Sequence, residues 1–200
     1  MITYYEDYLY SFDLKKLDNK KLSKECLQTE SYLKQYLLNK KEDNFFYGSF
    51  TTSHYNDYNL FTFPVPESIK LYEELKKYCY PFLDLNVNYW IQCWVNIFRK
   101  GDFIDWHGHW GPEYNVWHGF YCVDVGNSFT EYKIPNVKDI IKVPSKESRL
   151  IFGKSNGDRH KSSKWDNDNK PRITIAFDIV PYTTLIIEDQ FSPNHFLPFK

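Results

Sequence analysis

Between residues 88 and 98 the chain alternates with a period of two. Ile91, Cys93, Val95 and Ile97 share one face of an extended segment, and Trp90, Gln92, Trp94 and Asn96 share the other. The first face reads as core. The second combines indoles with amides, which suits the wall of a ligand cavity better than a solvated surface. The β pattern continues at 117–125, 149–152 and 172–180, with Gly101, Gly126, Gly153 and Gly157 near the turns. Upstream the period is helical. Leu22, Cys26, Leu33, Leu37 and Leu38 recur among Lys and Glu and predict an amphipathic helix from Asn19 to about Lys40. After Pro64 and Pro66, the positions Ile69, Leu71, Tyr72, Leu75, Tyr78 and Cys79 predict a second helix that ends before Pro81.

The remaining segments are less periodic. Residues 1–18 predict a short strand or cover, and 45–63 a loop between short strands in which His54 reads as a surface or capping histidine. Residues 182–200 read as a tail docked through its aromatics. Helices followed by strands without intervening helices predict a mainly β fold with N-terminal helices, an antiparallel sandwich or jelly roll whose mouth can hold a metal. The expected organisation is a single domain: a helical or mixed part at 1–85, a jelly-roll core at 86–181 and the tail at 182–200.

Composition narrows the partners. The 200 residues are 42% hydrophobic and 20% aromatic, with eight Gly and one Met, which excludes low-complexity disorder. With 25 basic and 26 acidic residues the net charge is -1, so no global field recruits nucleic acid or an anionic membrane. The four cysteines, Cys26, Cys79, Cys93 and Cys122, lack metal-knuckle spacing and read as buried free thiols in a reducing compartment. No signal segment and no membrane-length apolar run is visible, so the expectation is a soluble, cytoplasmic protein.

Candidate chemistry concentrates in two places. His107 and His109 point to one side of an extended segment, and Asp105 can join them; imidazole and carboxylate are the usual ligands of non-haem iron or zinc, with a third ligand coming from a remote strand. On the last strand, Ile173, Ile175, Phe177 and Ile179 share one face, and Arg172 and Thr174 the other. A guanidinium and a hydroxyl so placed form a receptor for a carboxylate. Twelve residues before Arg172, His160 lies in a polar, turn-like stretch that can deliver an imidazole to the rim of the sheet. His118, in mid-strand, reads as a hydrogen-bonded core or pocket residue. The tryptophans Trp90, Trp94, Trp106, Trp110 and Trp117 read first as core and rim.

The order Asn96-Ile-Phe-Arg-Lys-Gly101-Asp102, His107-Gly-His109, His118-Gly-Phe-Tyr-Cys-Val, His160 and Arg172-Ile-Thr174 resembles the iron(II)- and 2-oxoglutarate-dependent oxygenases, especially small phage and bacterial proteins related to prolyl hydroxylases. The resemblance covers about residues 90–180. It implies a double-stranded β-helix (jelly-roll, cupin-like) core, Fe(II) as cofactor, 2-oxoglutarate as cosubstrate and hydroxylation as the default outcome. Virus encoding and a place in the host cytoplasm are part of the same expectation. By the family's pattern His107 is the first ligand, His160 the distal one, Arg172 the residue that binds the far carboxylate of 2-oxoglutarate, and Thr174 its hydroxyl partner.

One position departs: His109 stands where most members carry a carboxylate. The ligand set is then His107, His109 and His160, or Asp105 or Glu113 supplies the oxygen ligand and His109 faces the substrate. Tyr121 and Asn96 are expected as further cosubstrate contacts. The resemblance assigns no catalytic acid or base. It also leaves the primary substrate open among a protein side chain, a nucleotide and a small metabolite. Two other classes fit parts of the pattern: a cupin-like three-histidine thiol dioxygenase that needs no 2-oxoglutarate, and a metal-free β-sandwich binding or virion-associated module.

Overall fold

A computed structural model describes residues 3–5, 8–37, 49–189, 192 and 195–199. Ten strands form two antiparallel sheets. The larger contains β1 (Thr3–Tyr5), β2 (Leu9–Asp13), β3 (Tyr89–Phe98), β4 (Trp117–Asp124), β7 (Arg149–Lys154), β9 (Arg172–Pro181) and β10 (Leu197–Pro198) in the order β1-β2-β7-β4-β9-β3-β10. The smaller contains β5 (Phe129–Lys133), β6 (Ile141–Pro144) and β8 (Arg159–Ser162) in the order β6-β5-β8. This is a jelly roll with N-terminal helices, as the alternation pattern predicts.

The two faces of the larger sheet have different fates. Ile91, Cys93, Val95 and Ile97 of β3 join Ile173, Ile175, Phe177 and Ile179 of β9 in the main core. Over them pack Leu22 and Cys26 of α1 (Asn19–Tyr36) and Leu71, Leu75 and Cys79 of α3 (Pro66–Cys79). Each such fully buried aliphatic side chain contributes about 1.5–3 kcal/mol, so this face anchors the sheet and leaves the other for chemistry. Helix α1 starts where the Asp18 side chain accepts from the Lys21 amide at 3.1 Å. Pro66 opens α3 at a position where its missing N–H costs nothing. Glu30, buried on α1, takes both guanidinium nitrogens of Arg99 at 2.8 and 2.6 Å and ties the helix to the end of β3.

Several expectations need correction. Helix α1 ends at Tyr36, with residues 38–40 outside the described residues. Of the stretch expected as a loop between short strands, residues 45–48 lie outside the described residues, and the rest forms α2 (Phe50–Ser53) and a 3-10 turn at Leu60–Thr62. Hydroxyls close α2: Ser49 Oγ lies 2.7 Å from Thr52 Oγ1, and Ser53 Oγ donates to the Ser49 carbonyl at 2.9 Å. His54 is buried rather than on the surface, and it stands at the capping position that ends α2, with its Nδ1 2.8 Å from Asp57 and its ring on Phe50. The described part of the tail opens with a short helix α4 (Tyr182–Ile187) and is docked through its aromatics as expected, with Phe196 and Phe199 buried and β10 paired to β3. All four cysteines are free and buried. Among the described residues no helix is long and apolar enough to cross a membrane.

Candidate metal centre

Between the sheets lies a cavity of about 560 Å³. Its wall on the larger sheet is the polar face of β3 and β9: Gln92, Trp94, Asn96 and Phe98 stand in register with Asp178, Ala176, Thr174 and Arg172. Its roof includes Thr130, His160 and Ser162 of the smaller sheet.

His107 is brought to this cavity by an isolated antiparallel bridge to His160 of β8, and His109 follows two residues later. Ring centroids are 4.3 Å apart for His107 and His160, 5.6 Å for His107 and His109, and 5.2 Å for His109 and His160. One nitrogen of each ring lies within 4.8 Å of the others. The opposite edges are held by oxygen. His107 Nδ1 is 2.8 Å from the Asp105 carbonyl, His109 Nδ1 is 2.8 Å from Asp178 Oδ1, and His160 Nδ1 faces Asp158 Oδ2 at 3.7 Å. A carbonyl can only accept, so His107 carries its proton on Nδ1 and presents the lone pair of Nε2. This donor set fits a divalent transition metal: three imidazoles converge with a nitrogen of each turned to the shared point.

The electrostatics favour the neutral form of His107 and His160. Burial, helped by the neighbouring His109, pushes His107 down to about 4. Burial also pushes His160 well below the ordinary histidine value, against the pull of Asp158. For His109 burial acts in the same direction, but the Asp178 carboxylate outweighs it and the net shift is upward. Burial opposes ionisation of Asp158, yet His118 and His160 beside it hold its carboxyl well below the usual range. His118 is buried as expected, with Nε2 3.3 Å from Asp158 Oδ1 and its ring stacked 4.5 Å from His109. Asp105 and Glu113, the alternative oxygen ligands, are exposed; Asp105 accepts the Trp106 amide at 2.8 Å, and neither joins the cluster.

Arg172 is buried at the start of β9 with its guanidinium over the Phe98 ring, and its Nε and Nη1 have no hydrogen-bond partner. Burial pushes it down to about 10. Beside it Thr174 Oγ1 accepts from Asn96 Nδ2 at 3.2 Å, and Asn96 Oδ1 accepts from Thr52 Oγ1 at 2.7 Å. The relay fixes the Asn96 amide and leaves the Thr174 O–H free to donate. Tyr121 does not belong here. His118 and Phe120 of β4 line the cavity, so strand alternation turns Tyr121 to the helix-covered core, where its hydroxyl donates to Asn19 Oδ1 at 2.7 Å.

Asp178 and Asp158 escaped the sequence reading. Asp178 had a signal, since it shares parity with Arg172 and Thr174 on the polar face of β9. Asp158 had none, because its approach to His118 depends on the turn before β8.

No family model matches the chain, and no curated protein matches it in sequence. Among solved structures it is similar to a prolyl hydroxylase from Trichoplax adhaerens, in complex with a hypoxia inducible factor peptide fragment, at a TM-score of 0.62 and 13% identity over 90% of this chain and 87% of that one. It is also similar to the non-heme monooxygenase ThoJ in its nickel complex, at a TM-score of 0.51 and 14% identity over 88% and 74% of the two chains. The chain therefore has the double-stranded β-helix fold of these oxygenases, with the imidazole cluster between its sheets.

Proposed function

We propose that this protein is an Fe(II)- and 2-oxoglutarate-dependent dioxygenase that hydroxylates its substrate. The observation that carries the reading is the buried Arg172 guanidinium, with two nitrogens unpaired, in the same cavity as three converging imidazoles. An unpaired buried cation costs several kcal/mol and is accounted for when an anion completes it. His107, His109 and His160 hold the metal. Iron and 2-oxoglutarate, when bound, supply the oxidation: dioxygen is consumed, 2-oxoglutarate becomes succinate and carbon dioxide, and one oxygen atom enters a substrate C–H bond.

The chain's own groups bind and orient. Arg172 donates two N–H bonds to the distal carboxylate of the cosubstrate, and Thr174 adds its O–H. Asn96 acts on that carboxylate through Thr174. Trp94, whose ring lies 6.1 Å from that of His109, keeps water from one side of the imidazole cluster. Tyr55, Asn56, Gln92 and Trp110 line the remaining wall, against which the primary substrate packs. The peptide held by the Trichoplax enzyme makes a protein side chain the first substrate class to assay. Four buried thiols favour a reducing, cytoplasmic setting.

The test is succinate formation by purified protein given Fe(II), 2-oxoglutarate and oxygen, with each omitted in turn. Succinate is expected only when all three are present. Protein that takes up iron but neither binds nor consumes 2-oxoglutarate overturns the reading in favour of a three-histidine dioxygenase, and protein that takes up no metal overturns it in favour of a binding module.

A further inference from the structure

The metal set proposed above contains no carboxylate, and two buried carboxylates stand one imidazole away. Asp178 Oδ1 is 2.8 Å from His109 Nδ1, and its other oxygen accepts Trp110 Nε1 at 3.2 Å. Asp158 stands behind His160 at a longer range: Oδ1 is 3.3 Å from His118 Nε2, and Oδ2 faces His160 Nδ1 at 3.7 Å, an ion-pair distance wider than a hydrogen bond. Asp158 Oδ2 and His160 Nδ1 are also the buried polar atoms of this cluster that have no hydrogen-bond partner. Both carboxylates are almost wholly buried, at 5% and 6% exposure, so neither is a surface acid that happens to lie near a histidine.

We infer that Asp178 and Asp158 are positioning residues that supply the negative charge the imidazole set lacks, Asp178 through the hydrogen bond it makes to His109 and Asp158 through its charge beside His160. The inference rests on the reading of His107, His109 and His160 as a metal centre. Its physical content is twofold. A carboxylate at Nδ1 fixes the tautomer with the proton on Nδ1, so that Nε2 keeps its lone pair for the metal, and it raises the basicity of that lone pair. It also returns negative charge to a site in which three neutral imidazoles leave the full dipositive charge of the metal uncompensated. His107 needs no such partner, because the Asp105 carbonyl fixes its tautomer without adding charge. His118 completes the arrangement as the group that holds the second oxygen of Asp158.

Co(II) alone is the probe, added to metal-free protein without oxygen, with affinity read by competition against a chelating indicator and the ligand-field bands read at saturation. Asp178→Asn is expected to weaken Co(II) roughly ten- to hundred-fold and to shift the bands of the saturated protein. Asp158→Asn, which stands behind a different ligand, is expected to weaken Co(II) and shift the bands as well, and because both carboxylates act on one metal the two losses are coupled in the double variant. A residue that only supported the fold would change the folded fraction and leave the bands of saturated protein where they were. Wild-type affinity and bands in both variants would overturn the inference, as would weakened binding that tracks unfolding with unshifted bands. Wild-type protein that binds no Co(II) overturns the metal centre itself, an outcome distinct from the other two.

Discussion

His107 and His160 face each other across a single backbone bridge, the amide of each donating to the carbonyl of the other at 3.0 and 2.8 Å. In an antiparallel pair bonded in this way, the two side chains lie on the same side of the ribbon. The loop carrying the first imidazole is thereby sewn to the strand carrying the distal one before any metal arrives. The sequence distance between them is closed by main chain and does not depend on the rings.

Truncating either ring should therefore cost metal and spare the fold. His107→Ala and His160→Ala are each expected to lose Fe(II) or Co(II) binding, while the far-ultraviolet circular dichroism stays that of wild type. Equilibrium dialysis against Co(II) checks this, and wild-type affinity in either variant would sink the ligand assignment.

The carboxylate alternatives separate from His109 by exposure. Asp105 is exposed and accepts its neighbour's amide, a bond that an asparagine oxygen also accepts. Asp105→Asn and Glu113→Gln should leave metal affinity unchanged and stability within about 0.5 kcal/mol. His109→Asp should keep metal bound, since it restores two histidines and a carboxylate. Metal lost on Asp105→Asn, measured by the same dialysis, would move the third ligand to Asp105.

Acid should destabilise the metal-free protein in a defined window. His107 and His160 are held below the ordinary value of 6.5, His107 at about 4. Between roughly 6.5 and 4 the unfolded chain binds protons that the folded chain refuses, so stability is full above that window and falls as pH drops through it. His109 is shifted upward and opposes this in part, because its contribution is present in acid and lost as pH rises through its folded value. His195, also held down by burial, adds to the first pair, and three groups against one leave a net loss toward acid. Thermal melts from pH 7 to 4 should fall less steeply in His107→Gln than in wild type, and parallel curves would show that His107 titrates normally.

Much of the fold was legible because β3 and β9 alternate in sequence, while β4 and β7 are short apolar runs rich in β-favouring residues. The strands of the smaller sheet were missed for a physical reason: β5, β6 and β8 are four or five residues long, lysine-bearing and half exposed, so no apolar face announces them. The turns at 50–62 depend on hydroxyl bonds and on Tyr58 Oη, which meets the Val95 amide at 2.8 Å. No local period encodes such contacts. At the site, His107, His109, His160, Arg172, Thr174 and Asn96 line one cavity; spacing suggested only the pairs His107–His109 and Arg172–Thr174, and the resemblance joined them. Tyr121 was assigned from its neighbours, although its parity with His118 already turned it away. Asp158 lies two residues before His160, but it meets His118 only because the two sheets face each other.

The last prediction sets stability against function at Arg172. Its guanidinium is 2% exposed, with Nε and Nη1 unpaired, and burial pushes it down to about 10. Replacing a buried unpaired cation with an apolar side chain of similar length removes a desolvation cost, so Arg172→Met should stabilise the metal-free, cosubstrate-free protein by about 1 kcal/mol or more. The same change removes the charged bidentate contact to 2-oxoglutarate. That loss should weaken the cosubstrate by about 2–4 kcal/mol, roughly thirty- to a thousand-fold in Kd. Thr174→Val should weaken it less, because one hydroxyl bond is lost and the charge remains. Three melts per protein, with no addition, with Co(II), and with Co(II) plus 2-oxoglutarate, read both effects, since a ligand that binds only the folded state raises Tm. The expected pattern is a higher baseline Tm for Arg172→Met and a 2-oxoglutarate-dependent rise in wild type alone. A lower baseline would mean that an anion or bond inside the fold already satisfies Arg172. An equal rise in both proteins would move the cosubstrate site away from this strand.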